Sequence, residues 1–424
     1  MKKIYRVAIL GLGGRGGDAY GPLLFAEKER FEITSLCDLR ESKLNFFQKR
    51  FHVSKSNCFL DEADFFKEKR ADLLVIATQD ADHIRHALKA FSLGYDILLE
   101  KPITAKREEC IQLLEAQKVS NCRALVCHVL RYAPAFVKAA EILKSGRLGK
   151  LVTINALERV TYWHQAHSYV RGNWRNSDFA TPMILAKCCH DLDLIQYYAG
   201  SKCKSISSVG DLAFFKECNA PKGASTRCST CKYIDSCEYS AKKVYLQRWI
   251  DDGKEEDSWP YNILTQAPLT EEKISDAIQN GPYGQCVFYC DNNVVDHQIV
   301  SMTFENGVKA ELTMTGFTKR GGRRIHFFCT NGELILDEQN NELRINNFNF
   351  LEGSDEVIKM DDLTEHGYSH GGGDYCLINT LYDMLEGKTE SVTSLDSSIE
   401  SHLMGICAEE SRKENGKLIY LHDN

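Results

Sequence analysis

No hydrophobic run in this chain is long. The longest, such as Leu73 to Ala77, cover about five residues, where a bilayer span needs roughly 20, so none can cross a membrane. An excess of one charge is also missing: 52 Lys and Arg stand against 59 Asp and Glu, a formal charge of -7 at a pI near 6.0. That balance argues against nucleic acid or an anionic membrane as the main partner. Internal repeats and low-complexity tracts are absent. Met1-Lys2-Lys3 followed by Val7 to Gly14 superficially mimics a secretory signal, but Arg15 interrupts it and no small-residue cleavage site follows. Cysteine is plentiful, 17 in 424 residues, yet below the density of a disulfide scaffold. Cys37, Cys127, Cys329 and Cys407 each stand alone in apolar segments, as small buried hydrophobes do. The expectation is a cytoplasmic, reduced protein of two domains.

Residues 1–127 alternate regularly. Apolar strands are predicted at Ile4–Leu10, Ile33–Cys37, Leu73–Ala77, Ile97–Glu100 and Arg123–His128, with helices between them at lengths typical of a doubly wound parallel sheet. The first strand runs into Gly11-Leu12-Gly13-Gly14-Arg15-Gly16, and Asp38 ends the second. A G-x-G-x-x-G turn between strand and helix is the signature of dinucleotide binding. Gly11 permits the tight turn, Gly13 and Gly14 let backbone approach phosphate, and Gly16 lets the helix pack closely, with Arg15 inside the same turn. The pyrophosphate meets free N–H groups at the helix N-terminus. Asp38 suits a ribose 2′-OH and favours NAD, while Arg40 leaves room for NADP. Thr78, after the third strand, is placed to meet the cofactor ribose, and His83 either faces the cofactor or packs the next helix.

Glu100-Lys101-Pro102 falls where a later strand of this sheet ends, the edge at which ligands collect. Pro102 stiffens the turn, so that Lys101 can reach the nicotinamide end, with Glu100 on the cofactor side. The chain is thereby similar to the Gfo/Idh/MocA oxidoreductases, a family that includes glucose–fructose oxidoreductase and inositol dehydrogenase. The resemblance runs through the glycine turn, Ala77-Thr78 to His83, Glu100-Lys101-Pro102, Arg131-Tyr132-x-Pro134, Gly146-Arg147-Leu148-Gly149 and His190-Asp191-Leu192-Asp193. It implies an α/β fold with an N-terminal Rossmann sheet and a C-terminal α/β domain (128–424) built on a large open mixed sheet. It also implies a sugar, polyol or related substrate, NAD or NADP as cofactor, and a homodimer or homotetramer formed through the outer sheet face.

Pro182 to Ile195 reads as a loop entering a helix, on which Lys187, His190 and Asp191 share a face. An imidazole suits removal of a hydroxyl proton as hydride leaves carbon. The expected catalytic set is Lys101 to polarise the reacting oxygen, His190 to accept or donate the proton, Asp193 or Asp191 to orient the ring, and Lys187 to assist. Family members commonly carry an aspartate four residues before this histidine, where this chain has Ala186. Polar and aromatic residues mark His164, His167, Tyr169, Arg171 and Trp174 as substrate candidates, together with Arg131, Tyr132, His370 and Asp374.

Cys218, Cys228, Cys231 and Cys237 give a C-x9-C-x2-C-x5-C pattern in an insertion at about 215–240. Four thiols at such spacing suit a structural zinc, with an iron–sulfur cluster or free thiols as alternatives. Strand character returns at Val294–Phe304, Val308–Gly316, Arg323–Cys329 and Glu333–Leu336, with turns at Asn306-Gly307 and Asn331-Gly332. Leu377–Leu385 and Ser397–Arg412 read as helices packing on that sheet. The function expected is NAD-dependent hydride transfer at a secondary hydroxyl of a small carbohydrate-like substrate. An NAD-dependent glycoside hydrolase and a non-catalytic NAD-binding regulator are the rivals.

Overall fold

The computed structural model describes residues 3–349, 355–364 and 369–422. Its first sheet is six-stranded and parallel: β1 (Tyr5–Leu10), β2 (Phe31–Cys37), β3 (Cys58–Phe59), β4 (Leu73–Ile76), β5 (Asp96–Leu99) and β6 (Ala124–Val126), in the order β3-β2-β1-β4-β5-β6. The order reverses beside β1, which creates a crevice at the carboxyl ends of β1 and β4. All four residues of β4 are buried, as helices on both faces require.

The second sheet has nine strands. They are β7 (Leu151–Thr161), β8 (Cys203–Asp211), β9 (His297–Phe304), β10 (Lys309–Thr318), β11 (Gly322–Cys329), β12 (Gly332–Asp337), β13 (Glu342–Asn347), β14 (Glu356–Lys359) and β15 (Ile419–Tyr420). Their order is β14-β13-β12-β11-β7-β10-β9-β8-β15. Among the described residues only β7 and β10 pair in parallel in this sheet, so it is mixed. Its inner face carries helices Cys189–Ala199 and Leu395–Lys413, which is why β9 to β12 alternate buried and exposed residues.

Two features depart from the expectations. Helix Gly373–Leu385 packs on the first sheet rather than on the second: Leu377, Ile378, Leu381, Tyr382, Met384 and Leu385 share a core with Tyr5, Val7 and Ile9. Tyr382 meets Tyr5 edge-on with ring centres 6.0 Å apart, and Tyr5 donates to the Leu385 carbonyl at 2.6 Å. The C-terminal third of the chain therefore returns to complete the dinucleotide-binding layer. The insertion is also wider than 215–240. It occupies the interval between β8 and β9 and has its own small core of Val244, Tyr245, Trp249, Tyr261, Ile274 and Ile278. The acidic stretch 251–257 within it is exposed, as a solvated loop would be.

Candidate active site

At the switch in strand order lies a cavity of about 800 Å³, lined by Gly11, Gly13, Asp38, Arg40, Thr78 and, from the other side, Phe179. The glycine turn is shaped to leave it open. A Cβ at Gly16 would lie 2.0 Å from the Gly11 carbonyl oxygen, and one at Gly11 (φ +92°) would lie 2.4 Å from that of Ala77. At Gly13 and Gly14 a Cβ would meet nothing within 4 Å, so this backbone faces open space in which a pyrophosphate fits. Asp38 accepts from the Leu12 N–H at 2.7 Å and from the Arg40 N–H at 2.9 Å, which aims its carboxylate at the turn. The residues present fit a dinucleotide.

Three residues expected at the cofactor do a different job. Arg15 turns inward, its Nε donating to Glu100 at 2.8 Å and its Nη2 to Asp374 at 2.6 Å. Glu100 is 4% exposed and also accepts from the Tyr20 hydroxyl. Burial raises its carboxyl, but Arg15 and Lys101 prevail and hold it below the ordinary range. His83 spans the carbonyls of Pro102, at 2.7 Å, and Thr78, at 3.2 Å. These groups fix the turn from which Lys101 projects and tie it to the end of β4.

Beyond that turn, Lys101 lies within electrostatic reach of His190. Burial first, and then the charges of Lys101, His128, Arg323 and His370, hold the His190 imidazole well below its ordinary value. His190 Nδ1 is buried without a hydrogen-bond partner, so Nε2 is on the open side of the ring. His164 joins them, held low by burial and then by Lys187, His167, Arg248 and Lys101. His370 lies with its ring centre 6.4 Å from that of His190 and its Nδ1 3.0 Å from Asp374.

Lys187 and His190 do not share a helix. The chain forms a short helix Met183–Ala186, breaks, and restarts at Cys189, which turns Lys187 toward Glu158, 3.1 Å away. Glu158 and Arg323 are cross-strand partners on β7 and β11 and lie 3.1 Å apart, while Arg323 Nε donates to Asp191 at 2.8 Å. Burial pushes Asp191 up to about 7 although Arg323 opposes it, and the neighbouring Glu158 carboxylate adds to the rise. Glu158 is itself raised by burial, but Arg323 and Lys187 outweigh that and leave it low. Two buried carboxyls are thus held between two cations. Asp191 is engaged here and does not orient His190.

Residues 5–128 match the model of the oxidoreductase family with an NAD-binding Rossmann fold, and residues 140–419 match that family's C-terminal α/β domain. The chain belongs to the Gfo/Idh/MocA oxidoreductase family. It is 21% identical to YteT of Bacillus subtilis over 92% of this chain and 93% of that one. It is 22% identical to inositol 2-dehydrogenase 1 of Paenarthrobacter aurescens over 69% of this chain and 80% of that one. Among solved structures, levoglucosan dehydrogenase with NADH and levoglucosan superposes with a TM-score of 0.73 at 15% identity, covering 99% of this chain and 100% of that one. The WlbA dehydrogenase of Bordetella pertussis with NADH and UDP-GlcNAcA gives 0.71 at 14%, covering 100% and 99%. At such identities the likeness speaks to the fold.

This Gfo/Idh/MocA member uses several of the expected substrate residues for structure. Arg131 donates to the Val392 carbonyl at 2.6 Å and covers the Tyr197 ring. The Tyr132 hydroxyl lies 2.7 Å from that of Thr393. His167 stacks on Tyr283 and bonds Tyr245 inside the insertion. Arg171 anchors the carbonyls of Gln285 and Tyr239, each at 2.7 Å. Tyr169 is buried beside His164, and Trp174 packs near it at 6.4 Å between ring centres. Asp193 does not reach His190; its nearest cations and rings are Arg131 at 3.6 Å and His128 at 4.0 Å.

The metal expectation finds no support. Cys218 is exposed, and Cys228, Cys231 and Cys237 instead share a small apolar cavity with Cys286. Among the described residues no group of three or more His, Cys, Asp or Glu is arranged to hold a metal ion. Sequence reasoning missed Glu158, Arg323, His128 and His402, and also Phe179 and Ala180, which line the cofactor cavity. Next in the chain, Thr181 donates to Asp80 through its N–H at 2.9 Å and its hydroxyl at 2.6 Å. Among the described residues no helix is long and apolar enough to cross a membrane.

Proposed function

We propose that this chain is an NAD-dependent oxidoreductase acting on a secondary hydroxyl of a sugar, polyol or glycoside. The observation that carries this reading is the cavity shaped for a dinucleotide, with Lys101, after the end of β5, close enough to His190, at the start of helix Cys189–Ala199, for its charge to act on the ring. Bound NAD supplies a two-electron hydride acceptor. The protein's own groups do the rest. Lys101 donates to the reacting oxygen and stabilises the negative charge that develops there. His190, neutral at pH 7, takes the hydroxyl proton at Nε2. His164 and Trp259, whose ring centres are 5.0 Å apart, give a polar and aromatic wall of the kind that suits a sugar. The inositol and levoglucosan dehydrogenases among its relatives support the substrate class. Asp38 supports NAD over NADP, because a 2′-phosphate would meet its carboxylate.

Two further points belong to this reading. The outer face of the large sheet carries Val209, Ile299, Phe317 and Phe328, all exposed, with Val209 and Ile299 paired across strands. Such a surface supports a homodimer or homotetramer closed through that face. All 17 cysteines are free thiols, which supports a reducing, cytoplasmic location. The test is incubation with NAD⁺ and a panel of sugars, polyols and glycosides, with mass spectrometry of the product. Loss of two mass units supports the reading. Cleavage of a glycoside without net reduction of NAD⁺ would replace it with the hydrolase.

A further inference from the structure

Behind His190 lies a chamber that the reaction as described leaves unused. His128, at the end of β6, and His402, on helix Leu395–Lys413, are fully buried, Asp193 is 1% exposed and Arg131 is 6% exposed. His402 has a fixed role. Its Nε2 accepts from the Ile103 N–H at 2.8 Å, so its Nδ1 carries the proton and donates to the Ser398 carbonyl at 2.6 Å. The others are not satisfied by protein. Both ring nitrogens of His128, both oxygens of Asp193, Arg131 Nε and His190 Nδ1 are buried polar atoms without a hydrogen-bond partner. The Asp193 carboxylate stands 4.0 Å from His128 and 3.6 Å from Arg131, and the His128 ring centre is 5.8 Å from that of His190. Each of these six atoms would carry a full desolvation penalty unless water reaches it.

We propose that this chamber is a proton relay, in which water held by His128 joins His190 Nδ1 to Asp193 and the Asp193 carboxylate stores the proton released in each oxidation. The inference rests on the oxidoreductase reading above. As the alcohol carbon gives up its hydrogen with the electron pair to the nicotinamide acceptor, the hydroxyl proton passes to His190 Nε2. The imidazolium so formed releases the proton on Nδ1 to the water, the water passes one of its own to Asp193, and the carboxylate becomes a carboxylic acid. Reduction runs the same transfers backward. The charge states suit such a relay. Burial pushes Asp193 up to about 6 although Arg131 and His402 oppose it. Burial also pushes His128 and His402 down to about 3. At pH 7 both rings are therefore neutral and the carboxylate is ready to accept. The groups facing Asp193 are Arg131, His128 and His402 from neighbouring elements and Tyr198 from its own helix.

The test uses the full chain loaded with NAD⁺ and labelled in its histidine rings, with Asp193→Asn and His128→Gln as variants. In the wild type, NMR titration shows the His128 and His190 ring signals moving together with an inflection near pH 6. D193N removes that inflection, and H128Q removes it from His190. In turnover on the substrate found, D193N lowers kcat at least tenfold at unchanged KM and abolishes the acid limb near pH 6, while Asp193→Glu restores part of both. A merely structural role would depress kcat equally at every pH and leave the limb in place. Ring signals indifferent to D193N overturn the relay whatever the activity. A coupled titration with no alcohol oxidised upholds the chamber and overturns the reading of the reaction.

Discussion

Replacing Arg323 by methionine isolates the buried charge cluster beside the site. The guanidinium side chain is 9% exposed and is the bond between two carboxyls, at 2.8 Å to Asp191 and 3.1 Å to Glu158. Methionine keeps most of the volume and removes the charge, which leaves only Lys187 facing Glu158. Breaking a buried pair in this way costs about 3–5 kcal/mol. At roughly 2–4 °C per kcal/mol for a domain of this size, Tm falls by about 6–20 °C. The direction with pH follows from Asp191. Its folded value is raised, to about 7, so its contribution to stability is complete below the unfolded value near 3.9 and is lost as pH rises through about 7. The R323M loss is therefore larger at pH 8 than at pH 5, where one carboxyl stays protonated. Asp191→Asn provides the contrast. An amide keeps a donor toward Glu158 and an acceptor toward Arg323, so D191N changes stability by less than about 1 kcal/mol and flattens the pH dependence. Thermal unfolding at the two pH values reads all four quantities. An R323M loss within about 1 kcal/mol, or a D191N loss as large as that of R323M, would refute this account of the cluster.

Gly16→Ala places a Cβ where the Gly11 carbonyl stands, and backbone rather than a flexible side chain must yield. NAD binding, followed by fluorescence titration, should weaken at least a hundredfold. Asp38→Ser removes the carboxylate that meets a 2′-phosphate while keeping an acceptor toward Leu12; the preference for NAD over NADP should narrow by about tenfold or more, a difference near 1.4 kcal/mol. An unchanged ratio of the two dissociation constants would show that Asp38 does not read the ribose.

The dinucleotide layer was legible because its signals are local. Strand, glycine turn, helix and a second strand ending in Asp38 lie within a few tens of residues, and β1, β2, β4 and β5 all formed close to where they were predicted. Lys101 and His190 were singled out for the same reason: each belongs to a short, distinctive run. What stayed hidden depends on pairing between distant strands. Glu158 and Arg323 become neighbours only through the register of β7 against β11. The return of helix Gly373–Leu385 to the first sheet was invisible because an amphipathic helix does not name the surface it will cover. Lys187 was misplaced by starting the helix of His190 too early, since the chain turns at Lys187–Cys188 and the helix begins at Cys189. Arg131 and Arg171 were expected at the substrate, yet both donate to buried carbonyls. The cysteine spacing suggested one ligand set, and the fold grouped Cys286 with three of its members instead.

The decisive measurement is absorbance at 340 nm under single-turnover conditions, with NAD⁺-loaded protein and the alcohol that the panel identifies. Hydride transfer assisted by Lys101 and His190 gives a stoichiometric rise that Lys101→Met and His190→Ala each slow by at least a thousandfold, about 4 kcal/mol of transition-state stabilisation, while NAD⁺ still binds both variants. A rise that survives either substitution at the wild-type rate would show that Lys101 and His190 are not the groups that act on the substrate oxygen and its proton.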